Sequence, residues 1–209
     1  MKSLSTLCRV VMPAVAVTVL GASAAWAKAS PAQRTEALVA AFMEVKSSED
    51  GDLSASDKAH NKKAFAALDA FFDYDTMTAS TIAPHRKKFS DDQAAKFEGR
   101  LRELIRMVAY PDSGAFLREA KRKLGKTKDK GGNAEVTMNL FVEKEDLEMD
   151  VTFIWKDGSD WKLIDVAFDG ARLTKDYQNQ FGRIIGKGGV EDLLKKIEKR
   201  YTKELSERQ

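Results

Sequence analysis

Cysteine is nearly absent from this 209-residue sequence. Cys8 stands alone, so no internal disulfide can form. Histidine is almost as scarce: His60 and His85 lie far apart in polar settings, without a paired metal-ligand spacing, and read as solvated side chains. No G-x-S-x-G is present to carry a nucleophilic serine. Gly182 to Lys187 superficially suggests a phosphate loop but fails it twice. Gly182 and Gly186 are one residue too close, and Gly188 follows the lysine, so the stretch reads as a glycine break between helices. Asp50-Gly51-Asp52 lacks the repeated acidic spacing of a calcium loop and reads as a surface turn. A formal charge of +3 is too small to announce a nucleic-acid binder. What remains is an ordinary globular composition, 43% hydrophobic and 32% charged, on a chain long enough for one substantial core and too short for several domains.

The first residues differ from the rest. Lys2 and Arg9 precede an apolar run, Val10 to Leu20, and no acid occurs before Glu36. The run is about half the roughly 20 residues that a spanning helix needs. It leads to Ala25-Trp26-Ala27, an A-x-A cleavage pattern, so residues 1–27 are expected to be a secretory signal and 28–209 the single mature domain. Cys8 precedes the apolar run, the wrong place for lipid attachment. Cleavage after Ala27 leaves 182 residues with 33 basic and 32 acidic side chains, a net charge of +1. Such a domain has no cysteine and is held by core packing alone.

The mature chain divides into a helical half and a strand half. Ser30-Pro31-Ala32-Gln33 and Ser90-Asp91-Asp92-Gln93 are capping boxes. Helical stripes follow: Leu38, Phe42 and Val45; Phe65, Leu68 and Phe72; Phe97, Leu101, Leu104, Ile105 and Val108. Asp75 is expected to cap a short helix, and Pro111 to end a long one. Residues 112–123 fit a helix or a strand, and 126–133 read as a polar turn with Gly131-Gly132. The period then changes to two. Ala134 to Val142, Leu147 to Trp155 and Trp161 to Phe168 alternate apolar with polar, with Trp155 and Trp161 placed to pair across the 156–160 loop. Two helical stripes close the chain, one of Leu173, Tyr177, Phe181 and Ile184, the other from Val190 to Leu205. The expected fold is α+β, an antiparallel, strongly curved sheet of about four to five strands with helices gathered on one side.

Two side-chain groupings have alternative readings. Asp165 shares parity with Leu163 and is either a buried hydrogen-bonding carboxylate or an acid–base group. Residues 118–130 carry seven basic and two acidic side chains, while 143–150 carry five acidic and one basic. These are either solvated turns at opposite ends of neighbouring strands or, for the basic stretch, a contact for an anionic membrane surface or acidic partner through Lys121, Arg122 and Lys123. The basic stretch has no interleaved aromatics, which argues against single-stranded nucleic acid.

Trp161-Lys162-Leu163-Ile164-Asp165-Val166, then Asp169-Gly170, Leu173, Tyr177, Gln180-Phe181 and Lys187-Gly188-Gly189, form one block. The block resembles that of the MlaC-type periplasmic lipid-carrier family, also called the toluene-tolerance or ABC-transporter auxiliary family, W-K-[VL]-x-D-V-x-x-[ED]-G-V-S-L-V-x-x-Y-R-x-Q-F. Phe72-Asp73-Tyr74 with Met77 resembles its F-D-[FY]-x-x-M element, and Ser90 to Gln93 with Phe97 its S-x-x-Q-x-x-x-F segment. The chain departs from the pattern at Arg172, Gln178, Ala83-Pro84 and Lys87.

The resemblance implies a monomeric, non-enzymatic periplasmic protein without cofactor. It would carry phospholipid between an outer-membrane lipoprotein complex and an inner-membrane MCE-type ABC transporter, maintaining outer-membrane asymmetry and solvent resistance. A hopanoid or other polycyclic-lipid carrier of the same family is the alternative, and a small-molecule enzyme using Asp165 a second one. At about 0.8 kcal/mol per CH₂, roughly 30 exposed methylenes come to about 24 kcal/mol, so a carrier must enclose the tails. The candidate pocket lining is Met77, Leu101, Ile105 and Val108 from helices, Met138, Leu140, Val151, Phe153 and Trp155 from strands, and Leu173, Tyr177 and Phe181 from the C-terminal block. Tyr74, Tyr110 and Tyr177 are candidates to place a hydroxyl near the mouth. Filled core is the competing reading for every apolar stripe.

Overall fold

The computed structural model describes residues 28–47 and 53–208. The expected leader and Asp50-Gly51-Asp52 lie outside them. Both expected capping boxes form: Ser30 opens α1 (Pro31–Met43) and Ser90 opens α4 (Asp91–Leu104). A third, from Ser54 to Asp57, opens α2 (Ala55–Asp69). In α3 (Tyr74–Ile82) the cap is Asp73 rather than Asp75, because Asp73 Oδ1 accepts the Thr76 N–H at 2.9 Å while Asp75 already lies in the first turn.

Pro111 does not end the fourth helix. The chain passes from α4 through a π-helical stretch, Ile105–Ala109, into α5 (Tyr110–Glu119). A proline inside a helix has no N–H to donate, and its ring crowds the preceding turn. The wider π turn just before it takes up both demands without stopping the helix.

The sheet is a five-stranded antiparallel meander in the order β1-β2-β3-β4-β5. Its strands are β1 (Lys121–Asp129), β2 (Asn133–Val142), β3 (Leu147–Lys156), β4 (Lys162–Phe168) and β5 (Ala171–Arg172). The ambiguous 112–123 segment therefore splits between α5 and β1, and the polar turn contracts to its centre, where Gly131 and Gly132 have φ of 63° and 87°. Strand β1 escaped the period-two signature because it is an edge strand with only Leu124 partly buried; backbone pairing to β2, not side-chain packing, holds it.

Two bulges bend the sheet. One falls in β1 between Leu124 and Thr127, where a Cβ on Gly125 would stand 2.9 Å from the Thr137 carbonyl oxygen. The other inserts Ile164 into β4: Leu163 lies opposite Trp155, but Asp165 lies opposite Ile154. Leu163 and Asp165 thus share sequence parity yet occupy opposite faces. The same register places Trp155 against Leu163, so the expected Trp155–Trp161 pair does not form. Trp161 instead lies before β4, with Lys28 Nζ 4.3 Å from its ring centroid and Arg34 donating to its carbonyl. Trp155 is fully buried, and its Nε1 donates to Thr35 Oγ1 at 2.9 Å, bolting the sheet to α1.

The last element, α6 (Leu173–Arg208), is interrupted at Gly189, where φ is 77° and ψ is −176°. That backbone conformation is essentially restricted to glycine. Gly186 is helical, and a Cβ there meets nothing within 4 Å. The two glycines therefore respond oppositely to alanine. Gly186→Ala should raise stability by about 0.5–1 kcal/mol, and Gly189→Ala should lower it by about 1–3 kcal/mol, as read from urea denaturation midpoints.

Candidate functional site

The apolar interior forms two clusters. One joins the sheet to α1, α2 and α5 around Trp155, Val136, Phe42 and Tyr110. The other joins α4, the end of α3 and α6 around Phe97, Phe181, Leu193 and Ile197. Ile105, in the π-helical stretch, packs against both. Between the clusters lies a cavity of about 440 Å³.

Each wall follows from a local preference. From the helical side come Met77 and Thr81 of α3, Leu101 and Leu104 of α4, and Ile105, Val108 and Ala109 of the π stretch. The sheet contributes Leu140, Val151, Phe153, Leu163, Val166 and Phe168. Leu173, Tyr177, Phe181 and Ile184 enter from α6 before Gly189, and Leu193 and Ile197 from beyond it. Aromatic contacts hold the walls: Phe97 meets Phe181 edge-on at 5.3 Å, and Tyr177 stacks on Phe181 at 5.3 Å. Were a cavity of this size dry and empty, it would cost on the order of 10 kcal/mol, at about 24 cal/mol per Å³. That is comparable with the whole stability of a domain.

Ten of the fourteen candidate lining residues border the cavity: Met77, Leu101, Ile105, Val108, Leu140, Val151, Phe153, Leu173, Tyr177 and Phe181. Tyr74, Tyr110, Met138 and Trp155 are placed elsewhere. Met138 and Trp155 belong to the filled core beside it. Met138 shares its strand face with Leu140, and periodicity cannot tell which position along that face meets a void. Lining residues outside the candidate set include Phe42, Phe72, Leu104, Phe116 and Leu117, besides Leu163, Val166, Phe168, Ile184, Leu193 and Ile197. Leu104 stood in the recognised α4 stripe, but Phe116 and Leu117 lay in the segment whose helical character was undecided.

Tyr74 and Tyr110 do not place hydroxyls at a mouth. Both are buried, and their hydroxyls bond to each other and to Asp69 Oδ1, at 3.1 Å from Tyr74 and 2.9 Å from Tyr110. Burial pushes both phenols well above the ordinary tyrosine range; beyond that, each is raised by the Asp69 carboxylate, and Tyr110 also by Tyr74. Arg106 Nε stands 3.1 Å from the same carboxylate oxygen. The group ties the ends of α2 and α3 to the π stretch and α5, behind the cavity wall.

Asp165 is 7% exposed. Its Oδ1 accepts the N–H groups of Val166 at 2.9 Å and Thr174 at 3.1 Å, and Arg172 Nε stands 3.8 Å from Oδ2. The carboxylate therefore caps the start of α6, where a helix favours negative charge. The two departures nearby are structural ties: Arg172 also reaches Glu135, and Gln178 Nε2 donates to the Ser80 carbonyl at 2.8 Å. Among the described residues no group of His, Cys, Asp and Glu side chains is arranged to hold a metal ion. His60 Nε2 lies 2.8 Å from the Glu44 carbonyl, and the His85 ring packs against Gly182, where a Cβ would meet Nε2 at 2.7 Å.

The two charge blocks meet rather than standing at opposite ends of their strands. Antiparallel pairing brings Lys121 to Glu143, and Lys144 to Glu119 at 3.1 Å. Arg122 is committed to the carbonyls of Leu117 and Ala120 at the end of α5. Lys123, Lys126 and Lys128 project from the exposed edge of β1 with no ion-pair partner among the described residues.

A family model described as MlaC protein matches residues 36–199. No curated protein matches the chain. Among solved structures, a phospholipid-binding protein from Ralstonia solanacearum, in complex with a phospholipid, matches with a TM-score of 0.65 over 85% of this chain and 99% of its own, at 15% sequence identity. At that identity the likeness is one of fold.

The Asp69 group sets a stability order. Tyr110→Phe removes one donor and should cost about 1–2 kcal/mol. Asp69→Ala removes the acceptor that both buried hydroxyls share, leaving them only each other, and should cost about 2–3 kcal/mol, with both values read from equilibrium unfolding.

Proposed function

We propose that this chain, which belongs to the MlaC protein family, is a lipid-binding protein that encloses the acyl chains of a phospholipid in the cavity between its two apolar clusters. The observation that carries the reading is the cavity itself, about 440 Å³ and walled by apolar side chains from every layer of the fold. A filled core would suit a protein that binds no ligand. The engagement of Asp165 as a helix cap accords with a binding protein rather than an enzyme. The phospholipid-bound Ralstonia solanacearum protein of the same fold supports phospholipid as the ligand class.

The chemistry of such a carrier is exchange rather than reaction. Transfer of acyl chains from a bilayer to an apolar cavity replaces one apolar surrounding with another and is close to neutral, whereas their exposure to water is strongly unfavourable. A near-neutral carrier loads and unloads in whichever direction its partners impose. We assign it to the periplasm after cleavage at Ala27, as a single domain from 28 to 209. There it passes phospholipid between an outer-membrane lipoprotein complex and an inner-membrane MCE-type ABC transporter, contributing to outer-membrane asymmetry. Docking falls to the lysines of the β1 edge. Since Arg122 is occupied by the end of α5 and Lys121 by Glu143, the docking charge rests on Lys123, Lys126 and Lys128.

Native mass spectrometry of the purified mature protein should show a lipid-mass adduct, and extraction should recover phospholipid. Val151→Trp and, on the opposite wall, Leu193→Trp should each reduce recovered lipid at least tenfold while costing about 1–3 kcal/mol of stability. Protein free of lipid by both measures, with a folded circular dichroism spectrum, would falsify the reading. Charge reversal at Lys123, Lys126 and Lys128 should weaken capture by the transporter complex about tenfold or more while leaving lipid content unchanged; loss of lipid in that variant would refute the separation of docking from binding.

A further inference from the structure

Apolar as the cavity is, its lining residues carry charge unevenly. The single acid, Asp165, is engaged by two backbone N–H groups and Arg172. The cations among the lining residues are Lys196 and Arg200, both on the part of α6 beyond Gly189. They are four residues apart, so their Cβ atoms lie on one face about 6 Å from each other. Their side chains are more than half exposed, whereas Leu193 and Ile197 on the same face are buried in the cavity wall. The arrangement is that of long cationic side chains whose stems continue an apolar wall while their heads reach water. Ser113, from the start of α5, borders the same cavity and adds a hydroxyl to the lining.

Resting on the proposed lipid-binding function, we infer that Lys196 and Arg200 form a headgroup subsite for the phosphate of an anionic amphiphile whose tails fill the cavity. Both cations already have partners: Lys196 Nζ lies 2.6 Å from Asp192 and Arg200 3.3 Å from Glu204, within the same helix. The Lys196–Asp192 pair is exposed, and pairs of this kind are weak and exchange readily; the Glu204 side chain is only 12% exposed. Glu204 is also held by Arg208 at 3.1 Å, and Arg208 in turn makes a two-pronged bridge to Asp112 at 2.9 and 3.3 Å, so Glu204 retains a cation when Arg200 turns to a phosphate. A phosphate at the rim accepts charge-assisted hydrogen bonds from an ammonium and a planar guanidinium together, stronger than the surface pairs they replace. An uncharged polycyclic lipid offers neither cation an acceptor of this kind.

The test loads the mature protein from vesicles of phosphatidylglycerol and, separately, from vesicles containing diacylglycerol of the same chain length, and counts bound lipid by native mass spectrometry. In the double variant Lys196→Gln, Arg200→Gln, phosphatidylglycerol loading should fall about tenfold while diacylglycerol loading stays within twofold of the parent. The charge-preserving variant Lys196→Arg, Arg200→Lys should recover most of the loss, which a merely structural role would not. Inorganic phosphate alone should protect neither cation from acylation or dicarbonyl modification at millimolar concentration, because the subsite is completed by tails in the cavity. Equal loss of both lipids, unchanged phosphatidylglycerol loading, or protection by inorganic phosphate alone would each overturn the subsite. A parent protein that takes up neither lipid would instead refute the lipid-binding reading beneath it.

Discussion

Two apolar clusters approach each other in this fold and do not close. The sheet-side cluster is fixed from behind by Trp155, whose indole N–H is bonded to Thr35, and by the Asp69 group that pins α2, α3, α5 and the π stretch together. The helix-side cluster is fixed by aromatic contacts among Phe89, Phe97 and Phe181. Neither can slide into the gap without breaking a buried polar or aromatic arrangement. The cavity is thus a consequence of walls held apart, and an apolar guest that filled it would replace the contacts the walls cannot make with each other.

The π-helical stretch is the joint on which this depends. Ile105 touches both clusters, and Val108 and Ala109 face the void. Its cause is local and plain in the chain: Pro111 follows at once, and the helix must widen or stop. The sequence signalled the proline but not the outcome. A stop is the simpler expectation, and only the buried face of Tyr110, Gly114 and Leu117, which continues past the proline, shows why the helix goes on.

Much of the architecture was legible because it rests on short-range chemistry. Capping boxes at Ser30 and Ser90, the change of period near residue 134 and the glycine break in α6 each announce themselves within a few residues. The family resemblance came from the block around Trp161 to Gly189 and agrees with the match over residues 36–199. The failures share a different cause. Strand β1 lacks alternation because an edge strand needs no buried face. Asp165 changed faces because Ile164 forms a bulge, and a one-residue insertion inverts parity beyond it. Tyr74 and Tyr110 looked amphipathic and suited to a rim, yet Asp69, distant in sequence from Tyr110, draws their hydroxyls inward. Such long-range pairings leave no periodic trace.

The central claim is that acyl chains occupy the space between the two clusters. The most direct measurement is photo-crosslinking with a phospholipid bearing a diazirine at the chain terminus, followed by mapping of the modified peptides. The account predicts adducts on the peptides holding Leu101 to Val108, Leu140 and Val151 to Phe153, and none on β1. Adducts confined to the exposed surface, or spread evenly over the protein, would contradict it.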